Sequence, residues 1–154
     1  MCGIAGFITK NKEYDAIAIV QRMLDKGVHR GPDQSGLARY GDTTLGMVRL
    51  SIIDTVEHTI PYEDHSGNFA IVYNGEIYNH ENIRKNLRHY SFKTGSDTET
   101  AMVSFIDKGV KAFNDYNGMY AFAIHDKKKN ETFIVRDKVG EKPLYYIKNK
   151  DFFA

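Results

Sequence analysis

Residues 69–73 read Phe-Ala-Ile-Val-Tyr, five apolar side chains in unbroken succession. Neighbouring side chains of a strand point to opposite faces, so a strand made from this run is apolar on both sides and must be covered on both. Residues 119–124 make the same demand, and strands are also expected at 2–9, 43–53, 132–135 and 144–147. Helical cover is scarce by comparison. The economical arrangement is two sheets packed face to face with the helices outside, a layered sandwich of the α+β class.

Two helices carry clear signals. Ala16, Ile17, Val20, Met23 and Leu24 recur at i, i+3, i+4 and i+7 spacing over residues 15–26, with Gly27 as the stop. Ser96-Asp-Thr-Glu99 has the spacing of a capping box. It opens a helix whose apolar stripe is Ala101, Met102, Phe105 and Ile106 and which ends at Gly109. A shorter helix is expected over 79–87, capped by Asn79, and residues 29–33 and 126–131 read as turns. No repeat or linker interrupts the pattern, so residues 2–154 are read as one domain.

The 154 residues suit a single domain. With 42% hydrophobic and 27% charged residues, the chain has the composition of a folded globular protein and not of a disordered one. Lys and Arg number 21 against 20 Asp and Glu, for a net charge of +1, which argues against nucleic acid or an anionic membrane as partner. No apolar run is long enough to span a membrane, and no secretory signal is visible. His58, His65, His80, His89 and His125 are scattered and expected on the surface, so no metal site is expected. Lys127 to Lys129 reads as a solvated hairpin tip. There is no phosphate-binding glycine loop.

The chain has one cysteine, Cys2, which excludes an intramolecular disulfide and a multi-cysteine zinc site and suits a reducing compartment. Removal of Met1 would leave Cys2 carrying a free α-amine. That amine has a pKa near 7.7–8.0, suited to act as base for the thiol of the same residue. The alternative is a small buried hydrophobe. Asn74-Gly75 follows the apolar run and reads in two ways: an amide and a backbone N–H converging as an oxyanion hole, or the two-residue turn of a hairpin. Arg49 can grip a carboxylate with two hydrogen bonds, and Asp97 can hold an ammonium group. Each also has a plain structural reading, as a snorkelling strand residue and as a first-turn acid favoured by the helix dipole.

These segments fall in one order: Cys2-Gly-Ile-Ala-Gly-Phe7, His29-Arg-Gly-Pro-Asp33, Arg49-Leu-Ser-Ile-Ile-Asp54, Asn74-Gly-Glu-Ile-Tyr-Asn79, Gly95-Ser-Asp-Thr-Glu99, Gly118-Met-Tyr-Ala-Phe122, Arg136-Asp137 and Lys142-Pro-Leu-Tyr-Tyr146. The series closely resembles the glutaminase domain of class II glutamine amidotransferases, in the asparagine synthetase branch of the N-terminal-nucleophile hydrolases. The resemblance implies a four-layer αββα sandwich of two mainly antiparallel sheets with helices outside. It also implies an enzyme in which Cys2 attacks the side-chain amide of L-glutamine, releases ammonia and leaves a glutamyl thioester that water hydrolyses. Asn74 and Gly75 would form the oxyanion hole. Arg49 would hold the α-carboxylate and Asp97 the α-amino group. Glu76 and the backbone of Leu50, Ser51, Ile52 and Ile53 would complete the pocket, and residues 29–33 would form a loop near the nucleophile.

Members of that family continue into a synthetase domain with a Ser-Gly-Gly-x-Asp-type phosphate loop, a motif not found here. The chain is therefore expected to be incomplete at its C-terminus and to need no cofactor of its own, ATP and Mg serving only the synthetase domain. The expected partners are glutamine and a synthetase domain or subunit that accepts ammonia, with room for a homo-oligomer, in the cytoplasm. The competing expectation is a catalytically silent remnant that keeps the fold for glutamine binding or regulation.

Overall fold

A computed structural model describes residues 2–50 and 59–154. Among them are the strands β1 (Gly3–Thr9), β2 (Gln34–Tyr40), β3 (Thr43–Arg49), β4 (Tyr62–Glu63), β5 (Phe69–Ile77), β6 (Gly118–Asp126), β7 (Glu131–Arg136) and β8 (Phe152–Phe153). The helices are α1 (Ala16–Gly27), α2 (His80–Lys85) and α3 (Asp97–Lys108). The strands form two four-stranded sheets, ordered β2-β3-β1-β8 and β4-β5-β6-β7. Every ladder within them is antiparallel.

The period-2 rule explains the layering. In β5, Ile71 and Tyr73 point one way and pack with Phe122, Ile124, Met102, Phe105 and Leu87 beneath α2 and α3. Val72 points the other way and meets Leu45, Met47 and Ala123 between the sheets, with Cys2 and Ile4 at the margin. On the far side α1 seats Ala16, Val20 and Leu24 against Phe7 and Val48 of the first sheet. The order is helix, sheet, sheet, helices: the expected αββα sandwich.

The helix signals hold at their starts. Asp15 accepts a hydrogen bond from the Ala18 N–H at 3.1 Å, and Ser96 accepts one from the Glu99 N–H at 3.3 Å. The reciprocal half of the capping box is not made. The fully buried Glu99 carboxylate instead accepts from the backbone N–H groups of Lys93 and Thr94, at 3.0 and 2.8 Å, and from the Thr94 hydroxyl at 2.7 Å. The Asn79 side chain does not cap α2 either. It bridges to the Asp115 carbonyl and the Asn117 N–H, at 2.8 and 2.9 Å, and ties α2 to the start of β6.

Other expectations are corrected. Residues 144–147 form no strand. Pro143 lacks an N–H, and the chain turns back so that Ile147 and Ala154 exchange backbone hydrogen bonds at 2.8 and 2.9 Å. Phe152 takes the place beside β1, its ring 4.9 Å from that of Phe7. β2 has a mixed polar sequence that carries no clear strand signal. His125 is buried, not on the surface: its ring stacks on Tyr40 at 5.6 Å and Nδ1 lies 3.0 Å from the Thr132 hydroxyl. Burial pushes its pKa below the usual histidine value, against the opposing charge of Asp126. Lys127 is not simply solvated, since its ammonium pairs with Glu63 at 2.8 Å above the Tyr40 ring. The latter part of the 43–53 stretch, including Ser51, lies outside the described residues, as does His58.

Candidate active site

The final residues of β5 place two functional candidates side by side. Asn74 and Gly75 do not form a hairpin turn; they continue β5, opposite Ala121 and Tyr120 of β6. The glycine is required by close approach. A Cβ at Gly75 would lie 2.3 Å from the Met119 carbonyl oxygen and 2.5 Å from the Tyr120 Cα. By alternation Asn74 points with Val72 into the space between the sheets, towards Cys2. Its side chain hydrogen-bonds to no other described residue.

Cys2 precedes β1, which pairs with β3 and so brings the thiol near the end of that strand at Arg49. Cys2 Sγ lies 3.8 Å from the Leu50 carbonyl oxygen, and Arg30 donates from Nε to the Cys2 carbonyl at 3.2 Å. Arg30 belongs to the 29–33 segment, which presses on β3 from the other side. A Cβ at Gly31 would meet the Arg49 nitrogen at 2.6 Å, Pro32 bridges to Arg49, and the Asp33 N–H donates to the Arg49 carbonyl at 3.1 Å. The loop thus holds the backbone on both sides of the thiol. The Arg49 guanidinium donates to Gln34 Oε1 at 3.3 Å.

Asp97 is the first residue of α3. One oxygen, Oδ2, accepts from the Tyr73 hydroxyl at 2.7 Å and from the Ile77 N–H at 2.9 Å. The approach to α3 is braced from a second side by Arg84, which donates to the Thr94 and Ser96 carbonyls and to the Thr100 hydroxyl.

A cleft of about 150 Å³ gathers these groups. Cys2, Arg49, Leu50, Asn74, Gly75, Glu76 and Asp97 all line it, together with Met47, Tyr73, Ser96, Thr98, Met119 and Lys142. Every described residue assigned to the site from sequence therefore meets in one place. Ser51, Ile52 and Ile53 lie outside the described residues. A larger cavity of about 500 Å³ adjoins it, lined mainly by apolar groups of β1, α1, β7 and residues 143–147, and shares Asn74. The smaller cleft is the candidate site, because charged and polar groups converge there.

Tyr73 and Lys142 were not singled out for the site by sequence. Tyr73 sits within the apolar run and reads as core; its hydroxyl partner is 24 positions away. Lys142 is buried and enters the cleft because of Asp137. The Asp137 carboxylate accepts from the N–H groups of Tyr120, Val139, Glu141 and Lys142, at 2.8–3.2 Å, and folds the chain back after β7. Burial pushes its pKa up, but the N–H groups outweigh that and hold it below the usual carboxylate range. The Arg136-Asp137 and 142–146 segments were already part of the ordered series, which is the signal that pointed there.

Among the described residues no group of three His, Cys, Asp or Glu side chains is arranged to hold a metal ion, and no helix is long and apolar enough to cross a membrane.

Comparison with known proteins bears on the family and the fold. The sequence pattern of the glutamine amidotransferase domain family matches residues 1–154. Asparagine synthetase [glutamine-hydrolyzing] 2 of Bacillus subtilis is 36% identical over 159 residues, covering 100% of this chain and 21% of that protein. Asparagine synthetase [glutamine-hydrolyzing] 1 of Arabidopsis thaliana is 34% identical over 146 residues, covering 94% of this chain and 25% of that one. The chain thus spans about a fifth to a quarter of these relatives. Among solved structures, the glutamine phosphoribosylpyrophosphate amidotransferase of Bacillus subtilis, complexed with ADP and GMP, superposes with a TM-score of 0.80 at 20% identity. That match covers 99% of this chain and 41% of that one, and shows a shared fold. On the match along its whole length, this chain belongs to the glutamine amidotransferase domain family.

Proposed function

We propose that this chain hydrolyses the side-chain amide of L-glutamine to glutamate and ammonia, with Cys2 as nucleophile. The observation that carries the reading is the convergence of a thiol, a buried amide, a guanidinium and a carboxylate on one small cleft. The charged pair sorts the substrate: Arg49 suits an α-carboxylate and Asp97 an α-ammonium group, so together they select a free α-amino acid over other amides.

The chemistry follows from the same groups. With Met1 removed, the Cys2 α-amine takes the thiol proton as Sγ bonds to the amide carbon of glutamine. The developing oxyanion is met by the Asn74 side-chain amide and the Gly75 N–H. The amine then passes the proton to the leaving nitrogen, the C–N bond breaks, and ammonia departs from a glutamyl thioester. Water attacks the thioester, its proton returning through the amine to the thiolate, and glutamate leaves. The hydrogen bond from Arg30 Nε to the Cys2 carbonyl holds nucleophile and base in register.

The relatives' names include an asparagine synthetase function, and on that basis ammonia from this site would serve an asparagine-synthetase-type amidation on a synthetase domain or subunit. ATP and Mg belong to that half of the reaction. A nucleophilic thiol suits a reducing location such as the cytoplasm.

A glutamine-shaped electrophile, 6-diazo-5-oxo-L-norleucine, tests the reading. It is expected to label the chain once, at Cys2, with protection by L-glutamine, as read by peptide mass. Labelling at another residue, or labelling that glutamine does not slow, would count against it.

A further inference from the structure

Asp97 is held in a way that its role as an ammonium ligand does not by itself explain. Its Oδ2 is saturated by the Tyr73 hydroxyl and the Ile77 N–H, while Oδ1 bonds to no other described residue. Tyr73 is 3% exposed, and its ring stacks on Phe122 at 5.8 Å, so the hydroxyl cannot swing away. The Ile77 N–H belongs to the same strand, so both donors are fixed to β5, which also carries Asn74 and Gly75.

We infer that Tyr73 is a positioning residue for substrate selection: by clamping Oδ2 of Asp97 it turns Oδ1 into the cleft and makes the site discriminate in favour of ligands bearing an α-amino group. This rests on the proposal above that the cleft takes glutamine. The geometry links recognition to chemistry. The backbone that delivers the Asn74 amide also sets, through the Tyr73 side chain on its opposite face, the carboxylate that receives the substrate amine. A carboxylate free to rotate about its χ angles would lose alignment with the ammonium, and hydrogen bonds to charged groups are the strong, geometry-sensitive ones. Burial, and then the Asp97 charge, push the Tyr73 hydroxyl well above the usual tyrosine pKa, so it stays a donor throughout the working range.

The test compares two ligands on one protein. L-Glutamine and its desamino analogue, 4-carbamoylbutanoate, differ only in the α-amino group. Their dissociation constants are measured by calorimetry on a Cys2→Ala chain, with and without Tyr73→Phe. The expected result is a loss of about tenfold or more in glutamine affinity on Tyr73→Phe, with the desamino analogue changed less than about twofold. In the chain with Cys2 intact, KM for glutamine rises by a similar factor while kcat stays within about twofold. Equal weakening of both ligands, or no change in their ratio, overturns the inference and leaves the glutaminase reading standing. Absence of glutamine binding before any change at Tyr73 overturns both. Should Tyr73→Phe not fold, Tyr73→p-aminophenylalanine keeps the ring and a weaker donor, and must shift the same ratio in the same direction.

Discussion

Cys2→Ala is expected to reduce ammonia release from glutamine by at least about 10⁴-fold, because removal of a covalent nucleophile leaves only binding and oxyanion stabilisation. The fold should survive. Cys2 is half-buried at the margin of the inter-sheet core, and the one described polar contact of its side chain is the long Sγ approach to the Leu50 carbonyl. Loss of a small, partly exposed side chain there costs no more than about 1 kcal/mol. Glutamine should still bind, since Arg49 and Asp97 are untouched. Steady-state ammonia assay, a urea melt and glutamine calorimetry on the same preparation check all three. Residual turnover within tenfold of the parent chain would contradict the assignment of Cys2.

Gly75→Ala is expected to be one of the most damaging single methyls among the described residues. The added Cβ would fall inside the Met119 carbonyl and the Tyr120 backbone, which belong to β6 and are fixed by the β5–β6 ladder. Relief requires separating the two central strands of the sheet. A loss of about 3 kcal/mol or more is expected, a large part of the about 5–15 kcal/mol that a domain has in total. Gly95→Ala provides the control. Its Cβ would meet nothing within 4 Å, so it should leave the urea midpoint nearly unchanged. Equal midpoints for the two variants would show that the strand yields, and with it the claim that Gly75 is fixed in place for the oxyanion.

These two residues also show where sequence reading reached its limit. The double-faced run at 69–73 dictated a strand covered on both sides, and the sandwich followed from the shortage of helices. Yet Asn74-Gly75 reads locally as a turn, and only its partner β6, more than forty residues downstream, turns it into strand. Non-local pairing decides such cases, and local propensity cannot. The same holds for Glu99. Its spacing from Ser96 is that of a capping box, but the carboxylate is drawn to the Lys93 and Thr94 N–H groups, a loop whose path the spacing does not encode. The burial of His125 likewise rests on partners, Tyr40 and Thr132, that come from two other strands. The residues of the site were legible because their order along the chain resembles one family. Why they meet was not: it depends on β1 pairing with β3 and on the Asp97 carboxylate reaching back to β5.

In the proposed mechanism one residue supplies both thiol and base for glutamine hydrolysis. The most direct measurement follows ammonia and glutamate release from L-glutamine by the chain after intact mass has established that Met1 is gone. Both products are expected in equal amounts, dependent on L-glutamine and abolished by prior labelling of Cys2. A folded, Met-free chain that binds glutamine and releases no ammonia would contradict this mechanism, and so would full turnover by a chain that retains Met1.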